Sequence, residues 1–302
     1  MLTVRLLTKK VAVIMSTQPS KDENTYFVDI ESGAETVRLV QQAHLLSNQL
    51  GGLFPEKFEL PHADVNAILD IACGPGTWVL DVAYAYPGSS VVGVDINETM
   101  IKYATAQALT QGLQNVSFEF MSVLKPLDFP DASFDVIHAR LLQGFMLRAI
   151  WPEFLRECWR ITRPGGRIIL VECETPFTNN AIIEQLCTLA NRAVQLAGLG
   201  FSPDGRHTCI TPMLPRFLKD AGYQDIQHMA HAIDFSVGAE AHASTVQDLG
   251  VLTELLKPFL IKMGVITREK LDALIEEMAV QGYTSDFCGL WYYLSVWGTK
   301  AL

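Results

Sequence analysis

The sequence predicts an α/β fold: a Rossmann-like doubly wound sheet, mostly parallel, with an antiparallel last strand. An N-terminal helical arm and an inserted helical lid complete it. Three observations carry this prediction. Short apolar runs alternate with helix-spaced segments from residue 66 to 173. Two of the runs, "VVGVDI" and "RIILVE", are continuously apolar, as strands covered on both faces should be. The first run, "ILDIACGPGTWVLDVA" (68–83), breaks into glycine, proline and glycine and then resumes with helical spacing, which marks a strand, a tight turn and a helix.

Each element follows in order. Residues 32–50 read as an amphipathic helix, because Ser32 and Glu35 make a capping box and Leu39, Ala43, Leu46 and Leu50 share one face. Gly51 and Gly52 end it. Strand 66–71, a helix from about 76, strand 90–95, helix 98–111, and strands 116–121 and 134–139 come next. A helix at 151–163 is closed by "RPGG", and strand 167–173 follows. Strands separated by helices imply right-handed crossovers and parallel pairing. Beyond residue 175 the pattern predicts a helix at about 180–197, the loop "GFSPDGRHTCITP" and a short helix at 212–221. A strand at 223–235, helices within 239–282 and a final aromatic-rich strand at 289–297 close the chain.

This divides the chain into residues 1–22, an arm at 23–62, and a main domain at 63–302 with helical insertions at about 178–222 and 237–285. The opening "MLTVRLLTKKVAVI" is too short, and too interrupted by Lys9 and Lys10, for a signal peptide. Met15 is expected to be the natural start, with the upstream piece either disordered or a misassigned beginning.

Composition narrows the partners. Of 302 residues, 49% are hydrophobic and 19% charged, so a core is available and a disordered chain is excluded. A net charge of −10 without a Lys/Arg-rich block disfavours nucleic acid and leaves a small molecule or a protein as the expected partner, the small molecule being preferred. None of the six cysteines forms a C-x-x-C pair or shows metal-ligand spacing, so a reduced, cytoplasmic thiol set and no metal site are expected. No apolar run approaches the roughly 20 residues that span a bilayer.

The turn at 70–76 points to a ligand. Gly74 and Gly76 leave bare backbone at the carboxyl edge of a parallel sheet, where open α/β sheets bind ligands. Asp95 stands 21 residues after Gly74 at the tip of the second strand, placed to accept hydrogen bonds from the vicinal hydroxyls of a ribose. The dinucleotide fingerprint G-x-G-x-x-G is incomplete, with Val79 at its third glycine, and Asp70 would repel a pyrophosphate. A ligand with a ribose, no phosphate and a positive end is implied, and S-adenosylmethionine meets that description.

"ILDIACGPGTWVLDVA", "VVGVDIN", "PLDFPDASFDVIHARLL" and "ITRPGGRIILVE" together resemble the successive motifs of class I S-adenosylmethionine-dependent methyltransferases of the small-molecule type, over about 64–175. The resemblance implies that Asp70, Ala72, Gly74 and Gly76 line the methionine part of S-adenosylmethionine, that Asp95 holds the ribose and that Ile96 packs on the adenine. The family usually places an aspartate after the third strand to accept from the adenine amino group. Ser122 stands there, with Val123 and Leu124 as alternative backbone contacts. Arg140, or the Ala139 backbone, is expected to meet the carboxylate or amino group of the cofactor, and Tyr26 in the N-terminal arm to seal the site.

For chemistry, methyl transfer by in-line displacement needs alignment more than acid–base groups. Where a proton must leave, His138, His207 and Glu172 are candidate bases, and His138 is alternatively a histidine satisfied within the fold. Arg206 lies in the same Pro/Gly loop as His207. His228 and His231, three apart on a strand, point to opposite faces and do not share an ion. Trp291, Tyr292, Tyr293 and Trp297 read as core. The apolar lid suggests a largely hydrophobic metabolite, of aromatic, terpenoid or polyketide-like kind as in secondary metabolism, or else a self-association surface for a homo-oligomer. The competing functions are a non-catalytic S-adenosylmethionine-binding partner or sensor, a nicotinamide (NAD)-dependent oxidoreductase and a methyltransferase acting on protein.

Overall fold

The computed structural model describes residues 33–61 and 65–302. The chain runs α1 (Gly33–Gln49), β1 (Ala67–Ile71), α2 (Thr77–Ala85), β2 (Ser90–Asp95), α3 (Glu98–Gln111), β3 (Val116–Phe120) and β4 (Phe134–Arg140). It continues through α4 (Trp151–Ile161), β5 (Thr162–Cys173), the short β6 (Phe177–Thr178), α5 (Ala181–Leu196), α6 (Leu214–Asp220) and β7 (Gln224–Asp234). Two helices, α7 (His242–Lys262) and α8 (Arg268–Gln281), precede the last strand, β8 (Gly289–Thr299).

The strands form one sheet in the order β3-β2-β1-β4-β5-β8, with β7 and β6 both on β8. Pairing from β3 through β5 is parallel, and β8 runs antiparallel to β5, β6 and β7. The predicted doubly wound sheet with an antiparallel end is therefore the observed one. Alternate residues of each central strand feed opposite layers. Ile68, Val136, Ile169 and Val171 pack beneath Trp78, Val79 and Val82 of α2. Leu69, Ile71, Ile137, Ile168 and Leu170 pack against Trp151, Phe154 and Leu155 of α4. Burial on both sides is what the continuous apolar runs require.

Local signals account for the helix ends. Asn97 caps α3 by accepting from Thr99 N at 2.9 Å and Met100 N at 3.3 Å, and Gly112 closes it at φ 70°. Asn180 does the same for α5, accepting from Ile182 N and Ile183 N. The capping box expected at α1 involves Ser32, which lies outside the described residues, and so do the expectations for residues 1–22.

One boundary differs from the sequence reading. "RPGG" does not separate α4 from its strand: β5 already begins at Thr162, paired with Phe134, and the register shifts before Val136 meets Arg167. Gly165 at φ 77° makes this irregularity feasible, and a Cβ on Gly166 would come within 2.9 Å of the Arg163 and Asp135 carbonyls. The glycines bend a strand rather than end a helix.

Among the described residues, no helix is long and apolar enough to cross a membrane.

Candidate functional site

The turn after β1 packs three left-handed residues into five positions: Ala72 at φ 56°, Gly74 at φ 55° and Gly76 at φ 75°. Alanine rarely adopts this conformation, so Ala72 is locally strained. The glycines serve different ends. A Cβ on Gly76 would lie 2.6 Å from Phe118 Cε1 and 2.7 Å from Ala104 Cβ, so Gly76 lets α2 sit tightly against α3 and β3. Gly74 has open space around it, apart from Leu39 Cδ1 at 3.8 Å, and its backbone faces a cavity.

Asp95 ties this turn to β2. One carboxylate oxygen accepts from Gly74 N and the other from Asn97 N, each at 2.8 Å. Burial pushes its pKa up, while those backbone donors act in the opposite direction.

The cavity beyond these residues measures about 240 Å³. Ala72, Gly74, Asp95, Ile96, Ser122, Val123 and Arg140, all singled out from the sequence, line it. Ser122 Oγ accepts a long bond from Leu124 N at 3.4 Å. The side chain of Arg140, at the end of β4, lines the cavity and makes no hydrogen bond or ion pair to any of the described residues. Burial lowers its pKa, against the pull of Asp70 and Asp81, but a guanidinium stays charged. α1 lines the cavity through Glu35, Arg38, Leu39 and Gln42, and α7 through Leu252. A buried ion network holds those two helices together: Arg38 donates to Glu35 at 2.7 and 2.8 Å and to Asp248 of α7 at 3.0 Å.

Several expectations are corrected. Asp70 does not line the cavity. It is 3% exposed and takes a 2.7 Å bond from His138 Nδ1 on the neighbouring strand, while Trp78 stacks on that imidazole at 3.8 Å. His138 is thus satisfied inside the fold and is not placed as a base. Ala139 is equally buried, and Gly76 contributes packing rather than a wall. Glu172 is 1% exposed and accepts from Leu142 N at 2.7 Å, holding the 3-10 turn Leu142–Gly144. Burial pushes its pKa up to about 8. His207 is exposed and lines neither this cavity nor the next. Arg206 is exposed and pairs with Asp204 at 2.7 Å. His228 is exposed, whereas His231 meets Ser295 Oγ at 3.3 Å, so the two histidines do part as a strand requires. Tyr26 lies outside the described residues.

A second cavity, of about 160 Å³, lies where α5, α7 and α8 cover the end of β5, in the lid region whose apolar composition suggested a hydrophobic pocket. Gln143, Cys173, Leu252 and Trp291 line both cavities, so the two share a wall. Most of its lining is aliphatic or aromatic, including Ile183, Leu186, Leu256 and Phe259. Trp291 and Tyr293, read as core, are buried and also border the first cavity. The apolar lid composition was the available signal, but which helices meet was not.

Comparison with known proteins places this geometry. A family model described as a methyltransferase domain matches residues 63–231, more than half of the chain. Curated relatives include demethylmenaquinone methyltransferases of Lactococcus lactis, 32% identical over 36% of this chain and 43% of that protein, and of Symbiobacterium thermophilum, 34% identical over 37% and 44%. The matched region spans less than half the length of these relatives. Among solved structures, phosphoethanolamine N-methyltransferase 2 of Haemonchus contortus, in complex with phosphomonomethylethanolamine and S-adenosylhomocysteine, superimposes with a TM-score of 0.52 at 14% identity, covering 91% of this chain and 60% of that one. The YcgJ protein of Bacillus subtilis gives 0.50 at 17% identity, covering 79% and 93%. At these identities the two structures speak for the fold.

Proposed function

Since the chain belongs to the methyltransferase domain family, we propose that it transfers a methyl group from S-adenosylmethionine to a small, largely apolar metabolite. The observation that carries this reading is the pair of adjoining cavities, one rimmed by opposite charges and the other apolar, with a common wall at Gln143, Cys173, Leu252 and Trp291.

The residues present fit that cofactor. Arg140 is a partly exposed cation on the cavity wall, placed to pair with the carboxylate of the methionine end. The bare backbone of Gly74 admits close approach. Each Asp95 oxygen, already accepting one backbone N–H, keeps a further lone pair for a ribose hydroxyl. Ile96, Met100, Met121 and Val123 supply an apolar slot for a flat base, with the Ser122 hydroxyl at its rim.

When bound, S-adenosylmethionine supplies an electrophilic methyl on a sulfonium whose leaving thioether is neutral. What remains for the protein is alignment and exclusion of water. α1 and α7, locked by Arg38, line one side of the first cavity, and α5, α7 and α8 would act as a lid over the second. None of the candidate bases reaches either cavity wall, which suits an acceptor that reacts without a protein base.

Isothermal titration with S-adenosylmethionine, S-adenosylhomocysteine and NADH tests the cofactor: binding of the first two and not the third is expected. Incubation of host metabolite extract with a labelled methyl donor, followed by mass spectrometry, then identifies the acceptor. Binding without any labelled product would favour a sensor instead.

A further inference from the structure

Among the described residues, Glu174 is the one charged side chain in the lining of the second cavity. Its two oxygens take four hydrogen bonds, all from one short stretch of chain. Oε2 accepts from Thr208 Oγ1 at 2.6 Å and Cys209 N at 2.9 Å, and Oε1 from Thr211 Oγ1 at 2.7 Å and Thr211 N at 3.2 Å. An ionised carboxylate offers about four acceptor sites, whereas a carboxamide offers two and turns donors towards the rest. That demand for acceptors accounts for a charge beside an otherwise uncharged wall.

The stretch held in this way is strained. Cys209 adopts φ 54°, a left-handed backbone that a residue with a Cβ rarely takes. Such a conformation persists where its surroundings over-determine it, and the bond from Cys209 N to Glu174 is one of the constraints. Asn191 of α5 adds a second by donating to the Arg206 carbonyl at 2.8 Å, and Phe201 N a third by donating to the Thr208 carbonyl at 2.8 Å. Thr208, where these ties converge, lines the cavity. Through its main-chain carbonyl Glu174 also accepts from Trp291 Nε1 at 2.7 Å, and Trp291 belongs to the wall common to both cavities.

We infer that Glu174 is the positioning residue of the second cavity: its carboxylate holds the 208–211 segment in place, so that Thr208 forms one wall against the bound molecule. The inference rests on the methyl-transfer reading only for calling that molecule the methyl acceptor. Glu174 does not line the first cavity, so cofactor binding does not depend on it.

Two readouts on the full chain test this. The neutral fluorophore N-phenyl-1-naphthylamine reports occupation of the apolar cavity. Limited trypsin digestion with mass spectrometry reports cleavage after the exposed Arg206. Glu174→Gln keeps the size of the side chain and removes half of its acceptor capacity. Thr211→Val removes one donor and keeps the shape, and Thr211→Ser returns the hydroxyl. Glu174→Gln and Thr211→Val are each expected to weaken fluorophore binding at least about fivefold, the equivalent of one hydrogen bond. Both should speed cleavage after Arg206 and leave S-adenosylhomocysteine affinity unchanged by calorimetry, and Thr211→Ser should match the wild-type protein. Unchanged fluorophore affinity, a loss without faster cleavage, or no binding to the wild-type protein would overturn the inference. So would a parallel fall in S-adenosylhomocysteine affinity, which would make Glu174 a general support of the fold. If Glu174→Gln fails to fold, Thr211→Val decides. Failure of the wild-type protein to bind S-adenosylhomocysteine, with the fluorophore results as expected, would instead sink the methyl-transfer reading alone.

Discussion

Asp70 and His138 face each other across the parallel register of β1 and β4, with His138 Nδ1 2.7 Å from Asp70 Oδ1. Both are buried at the centre of the sheet, and Trp78 covers the imidazole. This pair belongs to the framework beneath the turn that rims the cavity.

Asp70→Ala is therefore expected to lower stability by roughly 1–3 kcal/mol, as leaving a buried hydrogen-bonding group without its partner does. Asp70→Asn keeps an acceptor and should lose less. Burial lowers the His138 pKa below its ordinary 6.5. The unfolded chain then binds the proton more readily, so stability falls as pH drops below 6.5, and His138→Gln should flatten that acid limb. Urea titrations at several pH values measure both effects.

Asp95→Ala is expected to weaken S-adenosylhomocysteine binding about 10- to 100-fold, as loss of charge-assisted hydrogen bonds would. Unchanged affinity by calorimetry would remove Asp95 from the ribose site.

Arg140→Met separates the carboxylate of the ligand from its nucleoside. A loss of about 10- to 100-fold is expected for S-adenosylhomocysteine, and almost none for methylthioadenosine, which lacks the carboxylate. Equal losses for both ligands would mean that Arg140 acts on the fold instead.

Glu172, with its pKa pushed from 4.5 up to about 8, keeps its proton in the native state well into neutral pH. Its contribution to stability is complete below pH 4.5 and is lost as pH rises through about 8. Glu172→Gln mimics the protonated acid. It should match the wild-type protein near pH 4.5 and gain on it above, by up to about 1.4 kcal/mol per pH unit. Parallel stability curves for the two proteins would refute the assignment.

The sheet was legible because its central strands are apolar on both faces and helices such as α3 and α5 carry asparagine caps. The same signals misled at "RPGG", where glycine marks a bent strand. The short β6, held by only two register pairs to β8, carries too few residues to show a pattern. At the site, Gly74, Asp95 and Ser122 could be placed from sequence because they follow strand ends in chain order. The partnership of Asp70 with His138 could not, since it depends on the register of strands 68 residues apart in sequence. Glu174 carried no signal at all, because only the folded chain reveals which donors converge on its carboxylate.

The position of β8 also bears on how this protein can be cut for expression. β8 lies between β5 and β7 and bonds β5 through seven residue pairs, from Arg167↔Thr299 to Cys173↔Tyr293. A fragment trimmed to the family boundaries at 63 and 231 would leave the long apolar edge of β5 bare, an invitation to sticky intermolecular pairing. It would also arrive without α1, α7 and α8, leaving both cavities half unroofed.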